Sequence, residues 1–206
     1  MASFYRQLSL SAPKGDALAN FLAGAGDITS PARGATADGP PPAGQPPAGY
    51  DLDHNRQLLG HGEDVWRRAQ EALADWRMFD VGWVRAAPAV PIESGATVCV
   101  AARIAGLWIC NAARIVYTLH DEQGALRRFG FGYATLNMHV ERGEERFMVT
   151  WDRRDDSVNY DLYAFSQPGH PLVALARPFA RWMQRRFARD SKAAMARAAA
   201  GLSPTR

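Results

Sequence analysis

The chain has 206 residues, 47% of them hydrophobic, 22% charged and 10% aromatic, with a formal net charge of +3. That mixture excludes disorder throughout and is ample for one core that buries most of its apolar side chains. Cys99 and Cys110 are too few for a secreted disulfide framework and lack the paired spacing of a zinc site, so they read as small buried hydrophobes.

In chain order, residues 1–30 form an N-terminal segment in which Leu18, Phe21 and Leu22 suggest one short helix from Asp16 to Ala23. No apolar block there has the length of a signal peptide, and no run of about 18 apolar residues follows anywhere, which places the protein in the cytoplasm. Residues 31–49 collapse to Pro, Gly and Ala, a composition that removes backbone donors and reads as a linker, more mobile than docked. A domain over residues 50–202 opens with a strand from Tyr50 to Leu59, stopped by Gly60-His61-Gly62. Val65, Trp66, Ala69, Leu73 and Trp76 recur at helical spacing behind Glu63 and Asp64, which predicts an amphipathic helix from Glu63 to Met78.

Period-two alternation then marks a series of strands. Val81, Trp83 and Arg85 form a short one; Val98, Val100, Ala102 and Ile104 share a face before an Ala105-Gly106 turn; Ile115, Tyr117 and Leu119 share the next. Phe129, Phe131 and Tyr133 follow, then a bend near Arg142-Gly143, then Phe147, Val149 and Trp151. The polar run Asp152 to Asp156 supplies a hairpin before Val158, Tyr160, Leu162 and Ala164. The chain closes with a long helix from about Pro171 to Ala200, its stripe formed by Leu172, Leu175, Phe179, Met183 and Phe187, with a kink or restart expected at Pro178. The fold class is α+β: a curved antiparallel sheet of about seven strands with a long C-terminal helix across it. By alternation alone, the inward aromatics fill the space between the layers; the other arrangement leaves a cavity lined by them.

The series DHNRQLLGHGEDVWRRAQEALADWRMF, GWV, NAARIVYTLHDE, FGFGYATLNMHVERGEERFMV and YDLYAFSQP resembles a bacterial and plant family catalogued as domain of unknown function nineteen-ninety. Gly34-Ala35-Thr36 and Ala48-Gly49-Tyr50 also look like landmarks of that family, which implies that the Pro-rich stretch is less free than its composition suggests. The C-terminal AFSQPGHPLVALARPFARWMQRRFARDSKAAM is similar to START-like and polyketide-cyclase (Bet v allergen-like) proteins, and this implies a helix-grip fold. Neither resemblance brings catalytic residues with it.

Candidate site residues come from the strand faces. Glu145 shares its face with Phe147, Val149 and Trp151; it is read first as solvated beside Arg142 and Arg146, and alternatively as a buried acid or base with a raised pKa. His139 with Glu141 and Glu144 reads as a solvated turn rather than a metal site, and no metal or cofactor is expected. Tyr117, Tyr133 and Tyr160 could each orient a ligand from an apolar wall or reach a carbonyl across the core. Arg114 is read as surface, alternatively as a holder of an anionic group; Phe131, Phe147 and Trp151 complete the candidate lining. Arg177, Arg181, Arg185 and Arg189 form a basic ridge, read as a solvated face.

The leading expectation is a protein that binds a small hydrophobic or amphipathic molecule, lipid, isoprenoid or polyketide-like, between sheet and terminal helix. The alternatives are a cyclase- or hydrolase-type enzyme using Glu145 or His139, and a peripheral protein that meets an anionic membrane surface through the arginine ridge. No nucleic-acid motif or interleaved stacking aromatics accompany that ridge, so nucleic acid is not an expected partner.

Overall fold

Seven strand segments, most of them with alternating apolar residues, bring the backbone into one antiparallel sheet, because a strand with one greasy face is stable only beside others that turn the same face to a common core. The computed structural model describes residues 8–12, 14–41, 47–87, 90–169 and 174–202. Its elements are β1 (Leu8–Ser9), α1 (Gly15–Ala23), β2 (Asp51–His61), α2 (Glu63–Ala74), a 3-10 turn (Arg77–Phe79), β3 (Val84–Ala87), β4 (Thr97–Ile104), β5 (Leu107–Gln123), β6 (Leu126–Thr135), β7 (Glu141–Asp152), β8 (Ser157–Pro168) and α3 (Arg177–Ala199). Seven strands run in the order β2-β8-β7-β6-β5-β4-β3, and β1 pairs with β5 off that path. The sheet curls around α2 and α3, giving the helix-grip arrangement.

The concave face carries the main core. Ile115, Phe131, Phe147, Val149, Trp151, Val158 and Tyr160 meet Trp66, Leu73, Trp76 and Phe79 from the helical side and Ala188, Met195, Ala198 and Ala199 from α3. Phe131 and Phe147 stack with centroids 5.4 Å apart, and Trp76 tilts onto Phe131 at 4.9 Å. Small residues on the C-terminal half of α3 let its backbone come close to the sheet. Tyr160 then reaches across to Ser191 at 2.9 Å, and Arg68 Nε on α2 donates to the Ala199 carbonyl at 2.6 Å, satisfying a helix-end acceptor.

Of the two expectations at Pro178, the restart is the one observed: it lies in the first turn of α3, where its missing N–H costs no hydrogen bond, after a turn at Ala176, and Pro171 and Leu172 lie outside the described residues. Three elements differ from the sequence reading. α2 ends at Ala74, and Trp76 takes a left-handed φ of 58° before the 3-10 turn, so Met78 is buried but not α-helical. The bend expected at Arg142-Gly143 falls earlier, at residues 136–140, and Gly143 is inside β7 because a Cβ there would meet the Phe165 carbonyl oxygen at 2.0 Å. A register shift in the β5–β6 pairing between Ile115 and Tyr117 separates two residues that simple alternation puts on one face. Ile115 stays concave, whereas Tyr117 turns to the convex face and lies over Gly132, whose missing side chain makes room for the ring.

The convex face carries a second, polar core. Glu144 is 2% exposed; it accepts from the Gly34 N–H at 2.7 Å, the Thr36 N–H at 2.8 Å and the Thr36 hydroxyl at 2.6 Å. Arg146 donates to the Thr36 and Ala37 carbonyls and to Asp161 at 2.7 Å, and Asp161 also holds His54 at 2.8 Å. The first residues of the Pro/Gly/Ala-rich stretch are thereby seated on the sheet, although their composition alone favours mobility. Under α1, Cys99 and Cys110 are buried and free, packed with Ala101 and Trp108.

Glu144→Ala orphans buried donors on residues 34 and 36, so it is expected to lower unfolding free energy by about 2–4 kcal/mol in urea titrations. Arg33→Ala, an exposed change on the same segment, is expected to stay within about 0.5 kcal/mol of the parent.

Candidate functional site

α3 lies against the sheet along its C-terminal half and stands away from it along its N-terminal half. Between them is a cavity of about 360 Å³. Phe79, Trp83, Val84 and Val100 line it on one side, Ile109 and Leu162 form part of the sheet wall, and Phe179, Met183, Gln184 and Phe187 descend from the helix. The open arrangement therefore holds at this end of the molecule, and the filled arrangement holds at the other, where Phe131, Phe147 and Trp151 pack solidly.

The polar groups collect at the end of the cavity formed by β2, β7 and the β6–β7 turn. Alternation on β7 sends Glu144 outward and Glu145 inward, so Glu145 lines the cavity and accepts a 2.5 Å hydrogen bond from the Tyr133 hydroxyl on β6. Burial pushes the Glu145 carboxyl up to about 7; the Tyr133 bond opposes that rise, and the charges of Glu141 and Asp53 add to it. The Tyr133 phenol is held well above its ordinary value, first by burial and then by the Glu145 charge. Glu141 is likewise pushed up to about 7 by burial, while Gln184 Nε2 donates to it at 2.6 Å.

His139 sits in the turn, whose position is fixed by Val140 N–H donating to Asn111 Oδ1 at 3.2 Å. Its Nδ1 accepts from the Glu141 N–H at 3.0 Å, and burial lowers its pKa to about 4. The ring is therefore neutral near pH 7 and carries its proton on Nε2. Among the described residues, that Nε2–H donates to no protein acceptor.

Of the residues anticipated from sequence, Glu145, His139 and Tyr133 come together here. Glu145 is not the solvated strand end that the simpler reading gave it, because β7 starts at Glu141, four residues before it. Tyr160 is consumed by Ser191 at the foot of α3, and Phe131 and Phe147 are core beneath the cavity. Trp151 stacks on Trp66 and donates to Asp156 at 2.8 Å, away from the cavity. Tyr117 is on the convex face, its hydroxyl 2.6 Å from Thr36 Oγ1, and Arg114 points outward to Thr97 at 3.2 Å. Sequence reasoning missed Asp53, Glu141 and Gln184 as lining residues. Asp53 carried a usable signal, since it alternates with Asp51 and Asn55 along an edge strand.

The arginine ridge is divided. Arg177 pairs with Asp51 and Arg181 with Asp53, clamping α3 to edge strand β2, while Arg186 lies 4.5 Å from the Trp83 ring centroid. Arg185 remains exposed. No helix of the described residues is long and apolar enough to cross a membrane, and those residues form no His, Cys, Asp or Glu cluster able to hold a metal ion.

A curled antiparallel sheet gripping a C-terminal helix, with a cavity between them that is apolar along its walls and polar at one end, defines a helix-grip protein. Within that class, the chain belongs to the family described as Domain of unknown function (DUF1990), whose profile matches residues 29–194. It is 37% identical over 150 residues to a UPF0548 protein of Dictyostelium discoideum, covering 69% of each chain. It is 32% identical over 151 residues to a UPF0548 protein of Arabidopsis thaliana, covering 71% of this chain and 72% of that one. Among solved structures it is similar to Ara h 8.0201, with a TM-score of 0.43 at 7% identity over 71% of this chain and 98% of that one. It is also similar to hypothetical protein jhp0584 from Helicobacter pylori, with a TM-score of 0.45 at 13% identity over 71% of this chain and 88% of that one.

The raised carboxyl gives the site a signature in stability. Below about pH 4.5 Glu145 is protonated in both folded and unfolded chains; between 4.5 and about 7 only the folded chain keeps the proton, so its contribution is lost as pH rises through 7. The loss approaches about 3 kcal/mol at full desolvation. Glu145→Gln, which mimics the protonated form, is expected to exceed the parent in urea midpoint at about pH 8 and to match it near pH 4.5.

Proposed function

We propose that this protein binds a small, largely apolar or amphipathic molecule between the sheet and the N-terminal half of α3, with its polar end at Tyr133, Glu145 and His139. The observation that carries this reading is the cavity, whose volume of about 360 Å³ lies in the range of small-molecule sites. Its composition supports the same reading: aromatic and aliphatic walls supply burial energy without direction, and convergent polar groups at one end supply orientation. Skeletons of the lipid, isoprenoid or polyketide-like kind match such walls.

An acid/base enzyme is the second reading, favoured by one observation. A cavity carboxyl whose pKa burial pushes up to about 7 can hold or release a proton at neutral pH, and Tyr133 fixes its orientation. On that reading Glu145 is the acid or base and His139 a donor to a ligand oxygen.

Filling the cavity tests binding. Ala180 projects from α3 into it, so Ala180→Phe is expected to remove ligand-induced thermal stabilisation while leaving the unliganded melting temperature unchanged or raised. The measurement is a thermal-shift and native mass spectrometry screen of apolar alcohols, isoprenoids and fatty acids on parent and variant. A parent that neither copurifies with nor is stabilised by any of them overturns the reading.

A further inference from the structure

The polar end of the cavity has a charge imbalance that its own side chains do not correct. Asp53 from β2 and Glu141 and Glu145 from β7 line it. Arg181 is committed to Asp53 through both guanidinium NH groups, and also donates to Gln184. Lys192 on α3 is turned to Asn55 Oδ1 at 3.2 Å, and Arg186 is drawn to Trp83 and Asp190. Glu144 faces away into the Thr36 network, and Tyr160 is paired with Ser191. Glu141 takes the Gln184 amide and feels the Arg181 charge that is paired with Asp53, whereas Glu145, among the described residues, faces the cavity with the Tyr133 phenol as partner and with no cation paired to it.

Glu145 is half-buried and its carboxylate is used on one side only: Oε2 accepts from the Tyr133 hydroxyl, and Oε1 has no partner among the described residues. His139, half-buried beside it, keeps an Nε2–H without a protein partner among the described residues, and the ring is neutral, so it leaves the negative field in place. Phe79, Trp83 and Phe187 line the same cavity as an apolar wall; Phe79 and Phe187 stack on each other, and Arg186 covers a face of Trp83.

We propose that this cavity selects a protonated amine carried on an apolar skeleton, with the ammonium at Glu145 Oε1, the skeleton among Phe79, Trp83 and Phe187, and a ligand oxygen, where there is one, at His139. The proposal rests on the ligand-binding reading above and adds the charge class. A carboxylate ligand would bring a further negative charge to a site whose cations are already engaged, and desolvation there makes that repulsion strong. An alcohol would hydrogen-bond to Glu145 without supplying the missing charge. The ammonium is the group that both satisfies Oε1 and favours the ionised carboxyl, so its binding is coupled to proton release.

The test uses three probes with one skeleton, 4-phenylbutylamine, 4-phenylbutanol and 4-phenylbutyrate, on the full chain. Calorimetry is run at about pH 6 and about pH 8 in two buffers of different ionisation enthalpy. The amine is expected to bind at least about tenfold more tightly than the butyrate at the higher pH. Its affinity is expected to rise about tenfold between the two pH values, with close to one proton released at the lower, following a carboxyl that titrates near 7. Glu145→Gln is expected to abolish both the rise and the proton release, and the variant's affinity for the alcohol is expected to be the same at the two pH values. Tyr133→Phe keeps the carboxylate but removes its hydrogen bond, so the rise is expected to move to higher pH.

Butyrate binding as tight as amine binding, or amine affinity that is flat with pH, overturns the charge class; alcohol binding in that same experiment leaves the pocket reading standing. Failure of all three probes to bind overturns both.

Discussion

Helix α3 is seated on the sheet at one end only, and the rest of the architecture follows from that. Its buried positions are Ala188, Ser191, Ala194, Met195, Ala198 and Ala199, mostly small residues that let two backbones approach. Its N-terminal half carries Phe179, Met183, Gln184 and Phe187, which are too large to sit that close. A helix is stiff, so a close fit at one end and bulk at the other leaves a wedge-shaped space that no local rearrangement can close. The pairs Arg177–Asp51 and Arg181–Asp53 hold the raised half to the edge strand from the side. They fix its position without filling the space beneath it.

β7 divides two kinds of polar chemistry between its faces. Glu144 and Arg146, on the convex side, have partners supplied by residues 34–37 and Asp161, which His54 holds in turn, and this network fastens the N-terminal stretch to the sheet. Glu145, between them, faces the cavity with Tyr133 as its single side-chain partner. The two environments are one pleat apart, yet one is closed by the protein itself and the other is open on one side. The convex network makes β7 rigid, because moving Glu145 along the strand would break the bonds of both neighbours. A rigid strand beneath a carboxyl is what preorganises an acceptor in a cavity.

Much of the architecture was legible because alternation and helical spacing are local properties. Phe131 with Tyr133, Phe147 with Val149, and Tyr160 with Leu162 all take the faces that their parity assigns. Parity failed where one extra residue entered a strand: the shift at Val116 turns Tyr117 outward, and no side-chain pattern marks a bulge among apolar residues. Gly143 misled for the opposite reason. Glycine signals a turn by its backbone freedom, but here it serves a close approach by the neighbouring strand, a non-local demand. The same error put Glu145 at a frayed strand start and so in solvent. Glu141 and Gln184 were illegible as partners because they are 43 positions apart and meet only after α3 folds over β7.

The polar end of the cavity is costly to the fold. Two carboxyls that burial holds up near 7 lose free energy as the surrounding pH passes through that value, and burial likewise holds the His139 imidazole neutral. Leucine or methionine at positions 141 and 145 would pack against Leu162 and Met183 without that penalty, as replacement of buried charges by apolar groups commonly stabilises a domain. Packing therefore does not account for these residues. The apolar side of the cavity leads to the same conclusion by a different route, since larger side chains at Ala102, Ala164 or Ala180 would fill it and strengthen the core. A space left open, with half-buried titratable groups at one end and small residues where larger ones would stabilise, departs from the optimum for folding in two independent ways at one place. Departures of that kind concentrate where a molecule is accommodated, and this coincidence, not either feature alone, is the physical ground for the binding reading.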